Sequence, residues 1–393
     1  MNPAARVQAA IDVLDAVIAA ARGQGASADR IAADWFRARR FVGSKDRRAV
    51  RDLVWDAIRV CGDIPVSGRA AMLRLAQGDP ALAARFDGSR YGPAPVAPDD
   101  SPAEGGVAPR WLSDALGASG LDADEQAALL QRAPLDIRAN RLRITRDDLA
   151  ARLPVPAEPG PAPDSLRLPA GTAVETWPAF ADGLFEVQDA GSQLACAALA
   201  AQPGEVVVDL CAGGGGKTLA LAAAMAGTGR LIACDIDRAR LSRLPDRAQR
   251  AGAHVECRLL DGGRERDALR DLVGMVDAVL VDAPCSGTGT WRRNPEARWR
   301  LSPAAVARYA ATQAHVLDLA ASLVRPGGRI TFITCSLLDA EGAAGVEAFL
   351  ARKRDWHAAP VASPIGRARG RGWRFTPGHD GTDGFFFANL VWS

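Results

Sequence analysis

The spacing of apolar residues predicts an all-helical first part of the chain. Before residue 88, apolar positions recur at steps of three and four residues, the period that is typical of amphipathic helices. Three helices are predicted from these positions, around Val7–Ala21, Ile31–Phe36 and Val50–Ile58. The stretch 88–109 is rich in Pro and Gly and lacks this periodicity, which predicts a linker. We therefore expect a small helical domain over residues 1–87.

The middle of the chain, residues 110–185, is predicted to be a small α+β segment. Its pattern over Pro134–Leu153 predicts a strand followed by a helix, with Thr145 as the N-cap and Asp148 at the third helical position. The hydroxyl oxygen of a threonine N-cap accepts a hydrogen bond from a backbone N–H of the first helical turn. A second Pro- and Gly-rich stretch, Pro154–Gly171, is predicted to be a linker or long loop.

From residue 186 to residue 393, short apolar runs alternate with helical segments. Continuous apolar runs of this length favour a parallel sheet that is covered by helices on both faces. The predicted strands are Val206–Leu210, Arg230–Cys234, Val255–Leu260, Ala278–Asp282 and Arg329–Thr334. A late strand at Asp383–Ala388 is expected to lie antiparallel at the edge of the sheet. This pattern predicts a doubly wound, Rossmann-like α/β domain, in which ligands bind beyond the carboxyl ends of the strands.

Composition excludes several classes of protein. The 393-residue chain is 48% hydrophobic and has a formal net charge of +2, so that charge alone does not indicate a nucleic-acid partner. It lacks a long apolar run and begins with a polar segment, so we expect a cytoplasmic protein with no membrane span and no secretory signal. Its seven cysteines form no CxxC pair and its four histidines are dispersed, so no metal site is predicted.

The first predicted strand of the α/β domain runs into a glycine-rich turn, Asp209–Thr218 (DLCAGGGGKT). A Walker A loop would need glycine where Cys211 stands, and the GxGxxG fingerprint fails because Thr218 or Leu219 takes its last position. A turn that fits neither template, followed by an acid after the second strand, favours S-adenosylmethionine; a turn that binds no ligand remains the alternative. The predicted cofactor-binding residues of the turn are Cys211, Ala212, Gly213, Gly214, Gly215, Gly216 and Lys217.

Two acidic residues at the ends of the next strands complete the predicted cofactor site. Asp235 follows the second strand, where a carboxylate can accept hydrogen bonds from both ribose hydroxyls. Asp237 is predicted to be the N-cap of the following helix instead. Asp261 follows the third strand and could accept a hydrogen bond from an adenine amino group, although an Asp-Gly pair is more often a simple turn.

The fourth and fifth predicted strands each deliver a cysteine to the same edge of the sheet. Cys285 lies in VDAPCSGTG (Val281–Gly289), and Cys335 lies in ITCS (Ile333–Ser336). A single free cysteine is usually a small buried hydrophobe. Two cysteines beside one predicted cofactor turn instead indicate a reactive pair, since thiolates are strong nucleophiles.

Two local stretches are basic despite the balanced net charge. Arg37–Arg51 holds seven bases and one acid, and Trp291–Arg300 interleaves two tryptophans with four arginines. Clustered guanidiniums suit phosphate contacts, and aromatic rings beside them suit unpaired bases. The alternatives are a solvated helix face for the first stretch and a tryptophan-anchored core loop for the second. The predicted RNA-binding residues are Arg40, Lys45, Arg47, Arg48, Arg292 and Arg293.

Read together, these motifs resemble the Sun/Fmu/NSUN superfamily of RNA cytosine-carbon-5 methyltransferases, and within it the bacterial small-subunit (16S) rRNA methyltransferase B group. The family's cofactor turn, Asp-x-Cys-Ala-Ala-Pro-Gly-Gly-Lys-Thr, appears here with Gly213 and Gly214 in place of Ala-Pro. Its Asp-Ala-Pro-Cys-Ser and Thr-Cys-Ser elements correspond to Asp282–Ser286 and Thr334–Ser336. The segment VQDAGSQLA (Val187–Ala195) resembles the opening of the family's catalytic domain, and DGFFFA resembles its closing strand.

The resemblance implies a class I methyltransferase domain over residues 186–393 and a NusB-like RNA-binding domain over residues 1–87. It implies S-adenosylmethionine as the cofactor, small-subunit rRNA as the partner, and a monomeric enzyme. By resemblance, Cys335 is the nucleophile that adds to carbon 6 of cytosine, and Cys285 assists release of the product. Asp282 is expected to contact the cytosine N3/N4 edge or the cofactor, with Lys217 as a fixed cation nearby.

Three other functions stay open at this point. The same chemistry could act on tRNA or another RNA, since the motifs do not identify the modified nucleotide. The helical domain suggests a non-catalytic RNA-binding or antitermination factor. ATP hydrolysis is disfavoured by the spacing of the glycine-rich turn.

Overall fold

The computed structural model describes residues 1–23 and 25–393, which divide into two compact units. The first unit comprises Met1–Gln131 together with Thr290–Ser302, and the second comprises Arg132–Gly289 together with Pro303–Ser393. The first part of the predicted middle segment, up to Gln131, thus groups with the helical unit, and its remainder groups with the α/β unit.

The first unit is helical, as the apolar spacing predicts. Its helices are α1 (Pro3–Arg22), α2 (Ala28–Ala38), α3 (Ser44–Val60), α4 (Gly68–Ala76), α5 (Pro80–Ala83), α6 (Arg110–Ala118) and α7 (Ala123–Ala128). The three predicted helices correspond to α1, α2 and α3. The Asn2 side chain caps α1 by accepting a hydrogen bond from Ala5 N at 2.7 Å. Apolar faces of α1 to α4 share one core that includes Leu14, Ile58 and Met72.

The segment Thr290–Ser302 packs into this helical core. Glu296 accepts a hydrogen bond from Ala28 N, 3.0 Å away, and so satisfies a free N–H at the start of α2. Arg298 is fully buried and donates to the carbonyl oxygens of Ile58 and Cys61, at 2.6 and 2.7 Å, at the end of α3. Trp299 lies in the same core. This arrangement matches the alternative of a tryptophan-anchored core segment.

The second unit begins with a small antiparallel sheet. Its elements are β1 (Leu135–Ala139), α8 (Arg146–Arg152), β2 (Glu158–Pro159), β3 (Ser165–Leu168), α9 (Pro178–Ala181) and β4 (Phe185–Val187), and its strand order is β2-β3-β1-β4. The predicted cap is confirmed, because the Thr145 side chain accepts a hydrogen bond from Asp148 N at 3.2 Å. The prediction of a loop over Pro154–Gly171 is wrong, since β2 and β3 lie inside it. Their few apolar residues gave too short a pattern to be recognised.

A larger mixed sheet forms the body of the second unit. Its elements are α10 (Ala190–Ala197), β5 (Val206–Asp209), α11 (Gly216–Ala224), β6 (Arg230–Asp235), α12 (Arg238–Leu241), α13 (Leu244–Ala251), β7 (Glu256–Leu259), α14 (Glu265–Ala268), β8 (Val276–Asp282), α15 (Pro303–Leu323), β9 (Val324–Thr334), α16 (Ala343–Arg352), β10 (Trp356–Ala359), β11 (Arg367–Arg369), β12 (Gly372–Phe375), α17 (Pro377–Asp380) and β13 (Phe385–Trp392). The main strand order is β11-β12-β13-β9-β8-β5-β6-β7, and β10 also pairs with β13. The five predicted strands correspond to β5, β6, β7, β8 and β9, which pair in parallel.

The late strand β13 is antiparallel to β9, as predicted, but it does not lie at the edge of the sheet. It is flanked on its other side by β12 and β10. These partners are short and partly polar, so their sequences carry no clear strand pattern.

Apolar residues are buried on both faces of the large sheet. Neighbouring residues of one strand, Val207 and Val208, pack into two different hydrophobic clusters. This confirms the doubly wound α/β architecture. Pro245 lies in the first turn of α13, where proline is tolerated. In the described part of the chain, we find no helix with the length and apolarity that a membrane span requires.

Candidate active site

The glycine-rich turn lies where the strand order reverses, because β5 is flanked by β6 on one side and β8 on the other. Ligands of doubly wound sheets bind at such a switch point. Gly213 and Gly215 have φ angles of +54° and +87°, which other residues rarely adopt. A Cβ atom at Gly215 would also lie 2.2 Å from Leu244 Cδ1. Gly215 is therefore needed for the sharp turn into α11, and glycine at position 213 adopts its φ angle without strain.

Asp235 at the end of β6 anchors this turn. One carboxylate oxygen accepts a hydrogen bond from Gly213 N at 2.6 Å, and the other accepts one from Asp237 N at 2.7 Å. Each carboxylate oxygen can accept a further bond, so this contact leaves capacity for a ligand. Asp237 is the N-cap of α12, as predicted, and accepts a hydrogen bond from Arg240 N.

Lys217 and Asp282 form an ion pair across the switch point. The Lys217 ammonium lies 2.7 Å from Asp282 Oδ2 and 5.5 Å from the centre of the Phe385 ring. Burial lowers the pKa of Lys217, but the Asp282 carboxylate outweighs this effect and raises that pKa above its ordinary value. Lys217 is therefore a permanent cation beside the predicted cofactor turn.

Asp209, at the end of β5, is a buried acid beneath the turn. Its Oδ2 atom accepts a hydrogen bond from Thr218 Oγ1 at 2.6 Å, whereas none of the described residues gives its buried Oδ1 atom a hydrogen-bond partner. Burial raises the pKa of Asp209 to about 7. Burying a protonated carboxyl costs less free energy than burying a carboxylate, which accounts for the direction of this shift.

The two predicted reactive cysteines are brought together. The sulfur atoms of Cys285 and Cys335 lie 3.3 Å apart, and both residues are partly exposed free thiols. The hydrogen bond with Cys335, followed by burial, raises the pKa of Cys285 well above its ordinary value. A proton is therefore favoured on Cys285.

A cavity of about 520 Å³ opens in front of the sulfur pair, within the size range of small-molecule sites. Its lining includes the predicted residues Cys211, Asp235, Asp282, Cys285 and Cys335. Asp261 is exposed and does not contribute to this lining.

Other residues of the cavity were missed by the sequence reasoning. Glu265 of α14 and Tyr309 and His315 of α15 line it, and His315 Nε2 lies 3.4 Å from Glu265 Oε2. These residues lie in helices. The sequence prediction considered only residues that follow the ends of strands, so it did not include them.

Two buried residues of the small sheet brace the cofactor turn. Arg138 of β1 donates to the carbonyl oxygen of Gly216 at 3.0 Å. Glu186 of β4 pairs with both Arg247 and Arg250 of α13. Sequence reasoning missed these contacts because the partners are far apart along the chain.

The opening and closing motifs of the catalytic region meet at Asp189. Its two carboxylate oxygens accept from Ser192 N at 3.1 Å, which caps α10, and from Asp383 N at 2.9 Å. A single side chain thus joins the segment VQDAGSQLA to DGFFFA, which explains why these distant motifs occur together.

The predicted RNA-binding residues fall into two groups. Arg40, Lys45 and Arg48 are exposed on the first unit, while Arg47 is half-buried and donates to the carbonyl oxygen of Val42 at 2.8 Å. In the second group, Arg292 is buried and Arg293 is half-buried. Trp291 and Trp299 are also buried, so their ring faces are not available for stacking on RNA bases.

Comparison with known structures identifies the fold. PH0851, a protein of known crystal structure, matches with a TM-score of 0.76 and 24% identity over 98% of both chains. NSun6 from Pyrococcus horikoshii, solved with SFG, matches with a TM-score of 0.64 and 20% identity, over 72% of this chain and 98% of that one. The second unit thus has the α/β fold with a mixed sheet that is found in class I methyltransferases.

Sequence comparison identifies the family. The probable ribosomal RNA small subunit methyltransferase B of Synechocystis sp. is 36% identical over 296 residues, covering 72% of this chain and 66% of that protein. The ribosomal RNA small subunit methyltransferase B of Serratia proteamaculans is 38% identical over 265 residues, covering 66% of this chain and 60% of that protein. This chain therefore spans about three fifths to two thirds of the length of these relatives. The family model described as 16S rRNA methyltransferase RsmB/F matches residues 196–391. The chain belongs to the RsmB/F family of 16S rRNA methyltransferases.

Proposed function

We propose that this protein transfers a methyl group from S-adenosylmethionine to carbon 5 of a cytosine in small-subunit rRNA. The observation that carries the proposal is the pair of sulfur atoms, Cys285 and Cys335, 3.3 Å apart at the wall of a cavity. A second candidate, the same reaction on tRNA or another RNA, would use the same residues. The names of the relatives favour small-subunit rRNA.

The residues present fit S-adenosylmethionine, which supplies an electrophilic methyl group when bound. The cavity has room for a ligand of this class and reaches from Asp235 to the two cysteines. Asp235 would accept hydrogen bonds from the ribose, and the backbone of the glycine-rich turn would lie against the cofactor. The relative solved with SFG, an S-adenosylmethionine analogue, supports this assignment. Asp261 stays a weaker candidate for the adenine contact because it is exposed.

The proposed chemistry gives the two thiols different tasks. The Cys335 thiolate adds to carbon 6 of cytosine, which makes carbon 5 nucleophilic enough to take the methyl group. Carbon 5 then loses its proton to water or to a basic group in the cavity, the electron pair of that bond restores the double bond between carbons 5 and 6, and Cys335 leaves carbon 6 as a thiolate. Cys285 stands beside the Cys335 sulfur and is suited to assist this release. Asp282, held by Lys217, would contact the N3/N4 edge of the base and offset its charge during addition.

RNA contact is proposed for the exposed basic residues of the first unit, which we interpret as a NusB-like RNA-binding domain. Arg40, Lys45 and Arg48 would contact phosphates, as clustered cations do in nucleic-acid complexes. A single chain supplies both cysteines and the cofactor turn, so a monomer suffices for the reaction. The reaction also needs reduced thiols, which supports a cytoplasmic enzyme.

The test is a methyl-transfer assay with the full chain, labelled S-adenosylmethionine and small-subunit rRNA, followed by mass spectrometry of the nucleosides. We expect 5-methylcytosine as the product and its loss in Cys335→Ala. Cys257→Ala is a matched control, because Cys257 is exposed and lies outside the cavity. Full activity of Cys335→Ala would overturn the mechanism, and absence of S-adenosylmethionine binding would favour a non-catalytic RNA-binding protein. Bisulfite sequencing would then locate the modified cytosine.

A further inference from the structure

A fully buried carboxylate, Glu341, lies behind the two cysteines. It ends the short 3-10 helix Asp339–Glu341, which follows β9, and its relative exposure is 0%. Its Oε1 atom accepts hydrogen bonds from Ser286 N at 2.8 Å and from Gln313 Nε2 at 3.2 Å. Its Oε2 atom accepts from the hydroxyl of Ser336 at 2.7 Å and from the hydroxyl of Ser286. The Glu341 side chain therefore accepts four hydrogen bonds.

The donors to Glu341 are direct neighbours of the reactive cysteines. Ser286 follows Cys285, and Ser336 follows Cys335. The two serine hydroxyls also lie 3.1 Å from each other. Glu341 therefore joins the loop after β8 to the end of β9 at the point where each carries its cysteine.

Gln313 of α15 extends this connection. Its Nε2 atom donates both to Glu341 and, at 3.0 Å, to the carbonyl oxygen of Pro284, the residue before Cys285. Cys285 is thus held on both sides, through Pro284 and through Ser286. The network is formed by side chains from four segments, namely the loop after β8, the end of β9, α15 and the 3-10 helix, so it depends on the assembled fold and not on one loop.

The chemistry of the network calls for a carboxylate. Burying a charge is costly unless its hydrogen-bonding capacity is used, and here all four partners can donate. Two of the donors cannot reverse their role, because Ser286 N is a backbone amide and Gln313 Nε2 is fixed by its second bond to Pro284. A carboxylate has two acceptor oxygens, whereas a glutamine amide has one acceptor and one donor group. The NH₂ group of a glutamine at position 341 would therefore face groups of the network that donate hydrogen bonds and cannot accept one.

We propose that Glu341 is a positioning residue for methyl transfer, which sets the separation of the Cys285 and Cys335 sulfur atoms through Ser286 and Ser336. This inference rests on the proposed function. Glu341 touches neither sulfur directly and does not line the cavity, so its effect passes through the two serines. A reaction in which one thiol adds to the base and the other assists its release depends on this separation.

The charge of Glu341 gives a second, electrostatic effect on the same pair. The hydrogen bond with Cys335 and burial are the main causes of the raised pKa of Cys285, and the negative charge of Glu341 adds to them. Loss of this charge is therefore expected to lower the pKa of Cys285. That change can be measured without RNA or cofactor.

The test uses Glu341→Gln, with Ser336→Ala as a second variant that removes one of the four hydrogen bonds to Glu341. A matched control is Glu347→Gln, because the side chain of Glu347 is 52% exposed on α16. The first readout is the pH dependence of Cys285 alkylation by iodoacetamide, followed by peptide mass spectrometry in the full-length protein. The second is kcat and KM for methyl transfer, and the third is thermal unfolding.

We expect Glu341→Gln to move the pH midpoint of Cys285 alkylation downward and to lower kcat by about 100-fold, as a misplacement near 1 Å does, with little change in KM. Ser336→Ala should also lower kcat, and Glu347→Gln should behave as the wild type does. Unchanged kcat and an unchanged alkylation profile in Glu341→Gln would overturn the proposal, even if its melting temperature fell. Failure of the proposed function would appear differently, as no methyl transfer by the wild-type protein.

Discussion

Cys285 and Cys335 are 50 positions apart in the sequence, yet their sulfur atoms lie 3.3 Å apart. The hydrogen bond between them raises the pKa of Cys285, so that the proton is favoured on this sulfur. Each cysteine follows the end of a neighbouring parallel strand, β8 or β9, which accounts for their meeting. The raised pKa of Cys285 supports a role for this thiol other than that of the nucleophile, which has to be a thiolate.

Cys285→Ala is expected to trap the enzyme on its RNA. Cys335 could still add to the base, but release would be slow without the second thiol, so a covalent protein–RNA adduct should accumulate. A denaturing gel of protein mixed with labelled RNA and S-adenosylmethionine would show this as a slower band. Cys335→Ala and the double variant should give no band; a band with either would contradict these roles.

Stability is expected to depend on pH through Asp209. Burial raises its pKa to about 7, from an ordinary value of 3.8, so the folded protein binds this proton more tightly than the unfolded chain does. The resulting stabilisation is fully present below pH 4 and is lost as the pH rises to about 7. Three pKa units correspond to about 4 kcal/mol in the free energy of unfolding.

The change Asp209→Asn removes this titration and nearly keeps the shape. The difference in the free energy of unfolding between wild type and variant, measured by denaturant titration at several pH values, should therefore vary between pH 4 and 7 and level off above. A difference that is constant over this range would show that Asp209 has an ordinary pKa.

Gly289→Ala is expected to destabilise the loop that carries Cys285. A Cβ atom at this position would lie 2.1 Å from the carbonyl oxygen of Gly384, and Gly384 N donates to Gly289 O at 2.8 Å. Such overpacking lowers the free energy of unfolding by about 1–3 kcal/mol. Thermal unfolding should show this as a lower melting temperature. Gly345→Ala is the control, since a Cβ there would have no described atom within 4 Å apart from its chain neighbours and the backbone of its own helix, and alanine favours the helix α16. Equal melting temperatures for the two variants would refute the close approach.

Arg298→Met is expected to destabilise the helical unit. The change keeps an unbranched apolar stem but removes the donors to Ile58 O and Cys61 O, which are left without this partner in a buried site. A loss of at least about 2–3 kcal/mol in the free energy of unfolding is expected from these charged hydrogen bonds. Arg30→Met serves as the control because the side chain of Arg30 is 77% exposed. If Arg298→Met were as stable as Arg30→Met, the hydrogen bonds of Arg298 would not stabilise the helical unit.

The strands of the α/β domain could be predicted from sequence because buried parallel strands such as Val206–Asp209 are continuous apolar runs. Residues at their ends could be predicted too, since strand ends share one edge of the sheet; Cys285 and Cys335 are the clearest example. By contrast, β12 beside the closing strand has the pattern GWRF, in which a single arginine and a glycine leave no recognisable period.

Contacts between distant segments could not be predicted. Glu341 is one acid among many in the sequence, and only the fold shows that it is buried behind the cysteines. Likewise, the arginines of Trp291–Arg300 look like RNA contacts when they are read as a string. Arg298 instead donates hydrogen bonds to carbonyl oxygens at the end of a helix. The neighbouring sequence does not distinguish a buried guanidinium from an exposed one.

The insertion of Thr290–Ser302 into the first unit has a consequence for dividing the protein into fragments. A single cut near residue 131 would leave this segment attached to the second fragment and would expose Trp299 and Arg298 to water. The first fragment would at the same time lose the caps of α2 and α3 that Glu296 and Arg298 provide. Neither fragment then corresponds to one of the two compact units, and a fragment of the first unit for expression would have to include Thr290–Ser302.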